Sequence, residues 1–374
     1  MALLVLLLSL MTMFTVNAES TDRKLTLLAI NVGKGDALLL SSGESLYLID
    51  TGKKEHWGQL SSALTVRGIK HLDGVIITHT HSDHVGGVKT LLQTDVQVDA
   101  WYAPEYSTEK KKKHPLVKAL KTTDREVTWL HAGDQLPLDG GTLTVVGPIE
   151  PDEKENNNSL VLLAETLDGR MLLTGDMEFP EEESLLQAGV LPTVDVLKIG
   201  NHGEDDATSE ALLTQLQPKL AVISTNTAEE PDTPAPRVIH MLKRLGIAYA
   251  VTQDAKSAVQ VRLIDGEPEL SLLDDALPDA VTGLNLHMDR DAHRVTILNE
   301  GANPADLSGC FLASSTAKHF VFPQGTMLAP AGQLAVEDDR GNSLYFWDEK
   351  HLFDEKNRWM QLADAYGRIL AQDD

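Results

Sequence analysis

The feature that most narrows the possible folds is the run Thr78-His79-Thr80-His81-Ser82-Asp83-His84-Val85-Gly86-Gly87, which follows directly on the apolar stretch Val75-Ile76-Ile77. With 13 histidines in 374 residues, a 14-residue window should hold about half of one by proportion; residues 71–84 hold four. The apolar stretch has the composition of a buried strand, so it would deliver a turn rich in metal-binding side chains at its C-terminal end. In extended backbone, His79 and His81 point the same way. Asp83 and His84 are adjacent and diverge, so one loop can feed two cation positions. Gly86 and Gly87 let the chain turn tightly into a helix. A single His-x-His would be weak; His-x-His-x-Asp-His after a buried strand is a specific signal.

A two-cation site needs further ligands, and two other strand ends offer them. Leu172-Leu173-Thr174-Gly175-Asp176 reads as a strand closing on a carboxylate, and Asp176 can bridge two cations because each oxygen accepts separately. Val196-Leu197-Lys198-Ile199-Gly200-Asn201-His202-Gly203 is a strand closing on a histidine. The only cysteine is Cys310, which excludes an intrachain disulfide and a cysteine-rich zinc site. A donor set of imidazole and carboxylate alone suits Zn²⁺ or Mn²⁺.

The length predicts about two domains at roughly 150 residues each. A chain with 42% hydrophobic and 24% charged residues is not disordered, collagen-like or a multi-pass membrane protein. Residues 2–16 are almost continuously apolar and Ala18 precedes a polar turn. The run is shorter than the ~20 residues of a membrane span, so residues 1–18 read as a secretory signal, which predicts a secreted or periplasmic protein. Over residues 24–265, strand-length apolar runs (25–30, 37–40, 46–49, 75–77, 160–163, 171–173, 194–199, 220–223) alternate with helical stretches (87–92, 209–216, 236–245), predicting an α/β layered domain. Residues 266–283 read as a linker, and from 284 to 371 the pattern is all-β. The net charge of −24 argues against non-specific binding to DNA or anionic lipid through a broad basic face. Bound metal ions would still supply local positive charge.

The ordered set Asn31-Val32-Gly33-Lys34-Gly35-Asp36-Ala37, Leu48-Ile49-Asp50-Thr51-Gly52, His79-x-His81-x-Asp83-His84, Asn156-Asn157-Asn158-Ser159, Leu173-Thr174-Gly175-Asp176 and Leu197-Lys198-x-x-x-His202-Gly203 resembles the metallo-β-lactamase-fold hydrolases. Within them it is similar to the hydrolase domain of ComEC-type DNA-uptake competence proteins. The resemblance implies an αββα sandwich over residues 24–265. It also implies two divalent metal ions, Zn²⁺ or Mn²⁺, held by His79, His81, Asp83, His84, Asp176 and His202. Asp83 would orient water as well as bind metal, and Asn156 stands where many relatives carry another histidine, so both are catalytic candidates. Four positions depart from the pattern: Asn31, Lys34, Asn201 and Thr233. Gly33-Lys34-Gly35 lacks the spacing of a phosphate-binding P-loop, and Asp36 would repel phosphate.

Residues 284–371 resemble a lamin-tail-type domain, a small Ig-like β-sandwich, on the patterns at 295–301, 306–312, 320–325, 328–334 and 362–368. It carries no catalytic constellation, and Cys310 and His319 read as core or edge residues. The combined reading is a secreted two-metal hydrolase using a metal-bound hydroxide, a phosphodiesterase or nuclease. Lys110, Lys111, Lys112 and Lys113, near Trp101, Tyr102 and Tyr106, form a candidate substrate-binding strip for a nucleic-acid strand. Two other readings compete. One is a metallohydrolase of another ester, such as a phosphocholine ester, lactone or β-lactam. The other is a non-catalytic envelope-binding protein with a vestigial site.

Overall fold

In the strand Thr26–Ile30, alternate side chains enter different cores: Leu27 and Ala29 face a second sheet, Leu28 and Ile30 face helices. A strand buried on both faces requires layers on both sides, and the computed structural model has them. It describes residues 24–373 apart from 122, 276–278, 316–318, 339–343, 348–351, 365 and 367. The predicted signal, residues 1–18, lies outside the described residues.

The first sheet has eight strands in the order Glu267–Leu273, Ala258–Ile264, Thr26–Ile30, Leu38–Ser42, Ser45–Ile49, His71–Ile76, Gln97–Pro104 and Val127–Leu130. The second has seven, in the order Ala248–Val251, Leu220–Ile223, Val196–Lys198, Gly169–Leu173, Val161–Thr166, Gly141–Gly147 and Gln135–Leu138. Between them lies one apolar core, to which Leu38, Leu40 and Ile76 contribute from the first sheet and Leu162, Met171, Leu173 and Val222 from the second. The outer face of the first sheet is covered by the helices Trp57–Val66 and Pro115–Leu120 through Trp57, Leu60, Leu64 and Leu116. The outer face of the second is covered by Phe179–Ala188, Glu210–Leu216 and Pro236–Arg244 through Leu185, Leu212, Leu216, Val238 and Leu242. The result is four layers, αββα.

Strand direction explains where chemistry collects. Ser45–Ile49, His71–Ile76, Gln97–Pro104 and Val127–Leu130 run parallel in the first sheet. Gly169–Leu173, Val196–Lys198, Leu220–Ile223 and Ala248–Val251 run parallel in the second. Parallel strands end at a common edge, and loops beyond those carboxyl ends are where open α/β sheets bind ligands.

The predicted linker needs correction. Residues Glu267–Leu273 are not connector but the edge strand of the first sheet, paired antiparallel with Ala258–Ile264 along its whole length. A turn at Asp265 and Gly266, both at positive φ, makes the hairpin. The exposed acids and Pro268 that read as linker are tolerated because the strand is at the edge and largely solvated. Beyond it, the strands among the described residues from Leu284–Asp289 to Ile369–Asp373 lie in two four-stranded sheets and one two-stranded ladder, an all-β region around a core that includes Val295, Leu312, Phe322, Val336 and Leu362. Cys310 is buried there and His319 half-buried.

Candidate metal centre

Three strand ends at the common edge converge. After His71–Ile76 the chain passes through Thr78 and His79 and enters the short helix Ser82–Val85, which carries Asp83 and His84. Asp176 follows Gly169–Leu173 across Gly175, whose positive φ and contact with Ser159 and Thr78 leave no room for a Cβ. His202 follows Val196–Lys198 through two left-handed residues, Asn201 and itself. These turns bring the six predicted ligands into two adjoining groups that share one carboxylate. His79, His81 and Asp176 form one group; Asp83, His84, His202 and Asp176 form the other. Within each group the ligand atoms lie within 4.8 Å of one another. Asp176 Oδ2 is 3.1 Å from His84 Nε2, 3.3 Å from His202 Nε2 and 3.6 Å from His79 Nε2, and Asp83 Oδ2 is 3.5 Å from His202 Nε2.

The three buried histidines are oriented from behind. His84 Nδ1 is 2.7 Å from Asp50 Oδ2, His202 Nδ1 donates to the Ser224 carbonyl at 2.7 Å, and His79 Nδ1 lies 3.1 Å from Thr78 Oγ1. Asp50 also accepts from the Thr78 N–H and hydroxyl, each at 2.7 Å. Each ring thus turns Nε2 to the common centre, an arrangement that fixes ring orientation at metal sites. Among the described residues, His79 Nε2, His202 Nε2 and Asp176 Oδ1 are buried without a hydrogen-bond partner. Buried polar atoms are rarely left that way, and donors of this type pointing at one place fit divalent cations. His81 is exposed and Asp83 partly so, which puts the mouth of the site on their side.

The facing imidazoles and carboxylates set one another's charge. Burial lowers His79, and the neighbouring His84 charge lowers it further, so His79 is neutral with a lone pair to offer. Burial would lower His202 too, but the Asp176 charge and the Asp176 and Asp83 carboxylates facing its Nε2 lift it to about 9. Burial pushes Asp83 and Asp176 up, yet the surrounding histidines overcome it and hold both carboxyls ionised, well below the usual range.

The other predicted site residues have partners of their own. Asn156 sits in the turn Glu155–Asn158, its Nδ2 donating to Glu178 Oε1 at 2.8 Å and its Oδ1 buried and unpartnered. Lys110, Lys111, Lys112 and Lys113 are exposed; Lys111 Nζ pairs with Glu105 at 2.7 Å and lies 4.9 Å over the ring of Trp129. Of the aromatics expected beside them, Trp101 is instead buried in the helix-side core of the first sheet. The four departures each have other partners: Asn31 donates to the Ala255 carbonyl, Lys34 pairs with Glu204, Asn201 donates to Asp206, and Thr233 meets Thr225.

Three contributors have no role in the sequence reading. Asp50 has the same strand-then-acid signature as Asp176, a signal sufficient to find it. Ser224 contributes only a carbonyl, which no side-chain pattern reveals. Burial pushes Glu155 up, but hydrogen bonds from Thr80, Thr108 and Ser107 bring it below its ordinary value. It thereby fastens the 105–110 loop to the residue between His79 and His81.

Residues 30–227 match the family described as "Metallo-beta-lactamase superfamily". The chain is 32% identical over 254 residues to ComE operon protein 3 of Bacillus subtilis, covering 62% of this chain and 32% of that protein. It is 27% identical over 253 residues to Recombination protein 2 of Haemophilus influenzae, covering 66% of this chain and 29% of that protein. The chain therefore spans about a third of the length of these curated relatives. Among solved structures, it is similar to the metallo-beta-lactamase fold protein YhfI of Bacillus subtilis at TM-score 0.43 and 13% identity, over 64% of this chain and 99% of that one.

Proposed function

The chain belongs to the metallo-beta-lactamase superfamily, a family of metal-dependent hydrolases, and from that premise we propose that it is a two-cation phosphodiesterase whose substrates include nucleic-acid strands. The observation that carries the reading is the shared carboxylate: Asp176 belongs to both ligand groups, with three imidazole nitrogens within 3.6 Å of one of its oxygens. Six donors are too many for one tetrahedral ion, so His79, His81 and Asp176 would hold one ion, Zn²⁺ or Mn²⁺, and Asp83, His84, His202 and Asp176 a second. When bound, such a pair lowers the pKa of a water to about 7 and stabilises charge on attacking and leaving oxygens. The likeness to competence and recombination proteins supports a phosphodiester as the bond broken.

The protein groups position what reacts. Asp83, at the mouth and ionised, accepts a hydrogen bond from water on the open side. Asn156, fixed through its amide nitrogen by Glu178, leaves its buried carbonyl oxygen to accept a hydrogen bond from an enclosed water. The buried histidines need no reorientation, because their Nδ1 atoms are already engaged. Lys110, Lys111, Lys112 and Lys113 would meet the phosphates of a longer strand. The apolar residues 2–16 support secretion or a periplasmic location; among the described residues, no helix is long and apolar enough to cross a membrane. The all-β region from residue 284 is a lamin-tail-like, Ig-like module that binds or spaces.

The test is metal-dependent hydrolysis. Protein stripped with chelator and reloaded with Mn²⁺ or Zn²⁺ should take up two ions per chain and cleave bis-p-nitrophenyl phosphate and DNA. Turnover of a lactone, β-lactam or phosphocholine ester with DNA left intact would refute the phosphodiesterase reading and leave a metallohydrolase of another ester. Absence of bound metal would refute both.

A further inference from the structure

Lysine is almost never fully buried unless paired, yet Lys198 has no exposed side-chain surface. Its position on the strand Val196–Lys198 explains the direction it takes. Leu197 and Ile199 face the helices, whereas Val196 faces the first sheet, so Lys198 shares the inward face with Val196. Its ammonium reaches across the gap between the sheets to Asp36 Oδ2, on a side chain 1% exposed, and donates to the Gly175 carbonyl at 3.0 Å.

Both partners sit one step from the cluster. Gly175 precedes Asp176, the shared carboxylate. The Asp36 N–H donates to the Asp83 carbonyl at 3.1 Å, and the Asp36 carbonyl accepts from the Gly52 N–H at 2.8 Å. Asp36 Oδ1 is 3.9 Å from His202 Nδ1. Next to it, Gly35 lies against Asp83 so closely that a Cβ would stand 2.6 Å from the Asp83 carbonyl oxygen. The path from Asp83 through Asp36 and Lys198 to Gly175 is therefore continuous and crosses from one sheet to the other.

We propose that the buried Lys198–Asp36 ion pair is a positioning element that locks the Asp83–His84 loop of the first sheet to the Asp176 turn of the second. The chemistry of the ligand groups shows why such a lock matters. Asp83 and His84 come from the first sheet, Asp176 and His202 from the second, and an ion bound among them needs both halves at fixed separation. A neutral hydrogen bond would not also balance the crowd of carboxylates formed by Asp36, Asp50, Asp83 and Asp176; a buried ammonium does. Loss of a supporting partner behind a metal ligand lowers metal affinity by about 10–100-fold.

The inference rests on the two-cation reading, and cobalt titration of the full chain separates the two. Wild type should bind two Co²⁺ with a characteristic visible absorption. Asp36→Asn with Lys198→Met should still melt cooperatively, since removing a buried pair together leaves no orphaned charge. Asp36→Asn alone keeps the shape of the site and an oxygen to accept from the ammonium but leaves that buried charge uncompensated, so it should melt cooperatively at a lower temperature than the double variant. Both should bind the weaker ion at least about tenfold less tightly, with a changed absorption band, because the ligand geometry itself has shifted. Variants that bind both ions with wild-type affinity and spectrum would overturn the positioning role. So would failure of both variants to fold, which would make the pair a requirement of the fold. Wild type binding no cobalt would overturn the two-cation reading and this inference with it.

Discussion

The ligand cluster and the lysine strip are both runs of one chemical type, and they end up as opposite kinds of surface. His79, His84 and His202 are fully buried, each with one ring nitrogen engaged and the other aimed inward. Lys110, Lys111, Lys112 and Lys113 are exposed, on a short turn at the outer edge of the first sheet. Burying imidazoles and carboxylates is costly unless they gain partners, so a cluster that is buried, ordered and partly unsatisfied has been arranged for something. Exposed lysines incur no such cost, and their grouping by itself specifies nothing. Density of a residue type marks a site only when the fold also takes that residue out of water.

The hardest blow to this contrast is Asp176→Ala. It removes the one carboxylate common to both ligand groups. Phosphodiester hydrolysis should fall by more than roughly 100-fold, beyond what loss of an outer partner costs, and metal content should drop with it. The all-β region from residue 284 should keep its own melting transition, since Asp176 makes no part of its core. Calorimetry and elemental analysis of the same sample check both halves; near-normal metal content would break the comparison on its buried side.

A milder change sharpens it. Asp50→Asn keeps the shape but removes the charge facing His84 Nδ1. Metal affinity should fall by about 10–100-fold with the fold intact, read by competition with a chelating dye. Unchanged affinity would mean that the ring is held by packing alone.

Much of the buried side is legible in the sequence because ligands follow strand ends in order. The strand before His79, the Gly-Asp close of Gly169–Leu173 and the histidine after Val196–Lys198 are local patterns, and the fold only has to bring them to one edge. What escapes is what depends on the third dimension. Lys198 at a strand end reads as an exposed residue; only the facing sheet makes it an internal cation. Glu155 reads as part of a polar loop, and only its contacts with Thr80 and Thr108 give it a task. Trp101 misleads because strand parity, which buries it against helices, is invisible next to a tyrosine and a run of lysines. Residues 267–273 mislead because a solvated edge strand and a linker have the same composition. The helix Trp57–Val66 leaves little trace in the sequence, with no side-chain N-cap, no acid in its first turn and no base in its last, whereas Phe179–Ala188 does carry start and stop signals in Pro180, Glu181, Glu182 and the left-handed Gly189.

The smallest expected effect concerns the exposed side. Replacing Lys110, Lys111, Lys112 and Lys113 with Gln should leave hydrolysis of bis-p-nitrophenyl phosphate unchanged, because that substrate is too short to extend beyond the ligand cluster. The strip is nevertheless tied to it: Thr108 donates to Glu155 at 2.7 Å, and Glu155 accepts from Thr80 at 3.1 Å. Lys110 follows two residues after Thr108, a reach of roughly 7 Å in extended chain. A strand bound at the cluster would therefore come within reach of the lysines. If they meet its phosphates, the variant should show a raised KM on single-stranded DNA with unchanged kcat. The slope of log affinity against log salt should become shallower by about 0.7 for each phosphate that the variant no longer neutralises. Lys111 is the one to isolate, since it already has competing partners in Glu105 and Trp129; Lys111→Gln should change the slope less than Lys112→Gln. A variant whose KM and salt slope both match wild type would place the strip outside the substrate path and leave the buried cluster as the whole of the binding site.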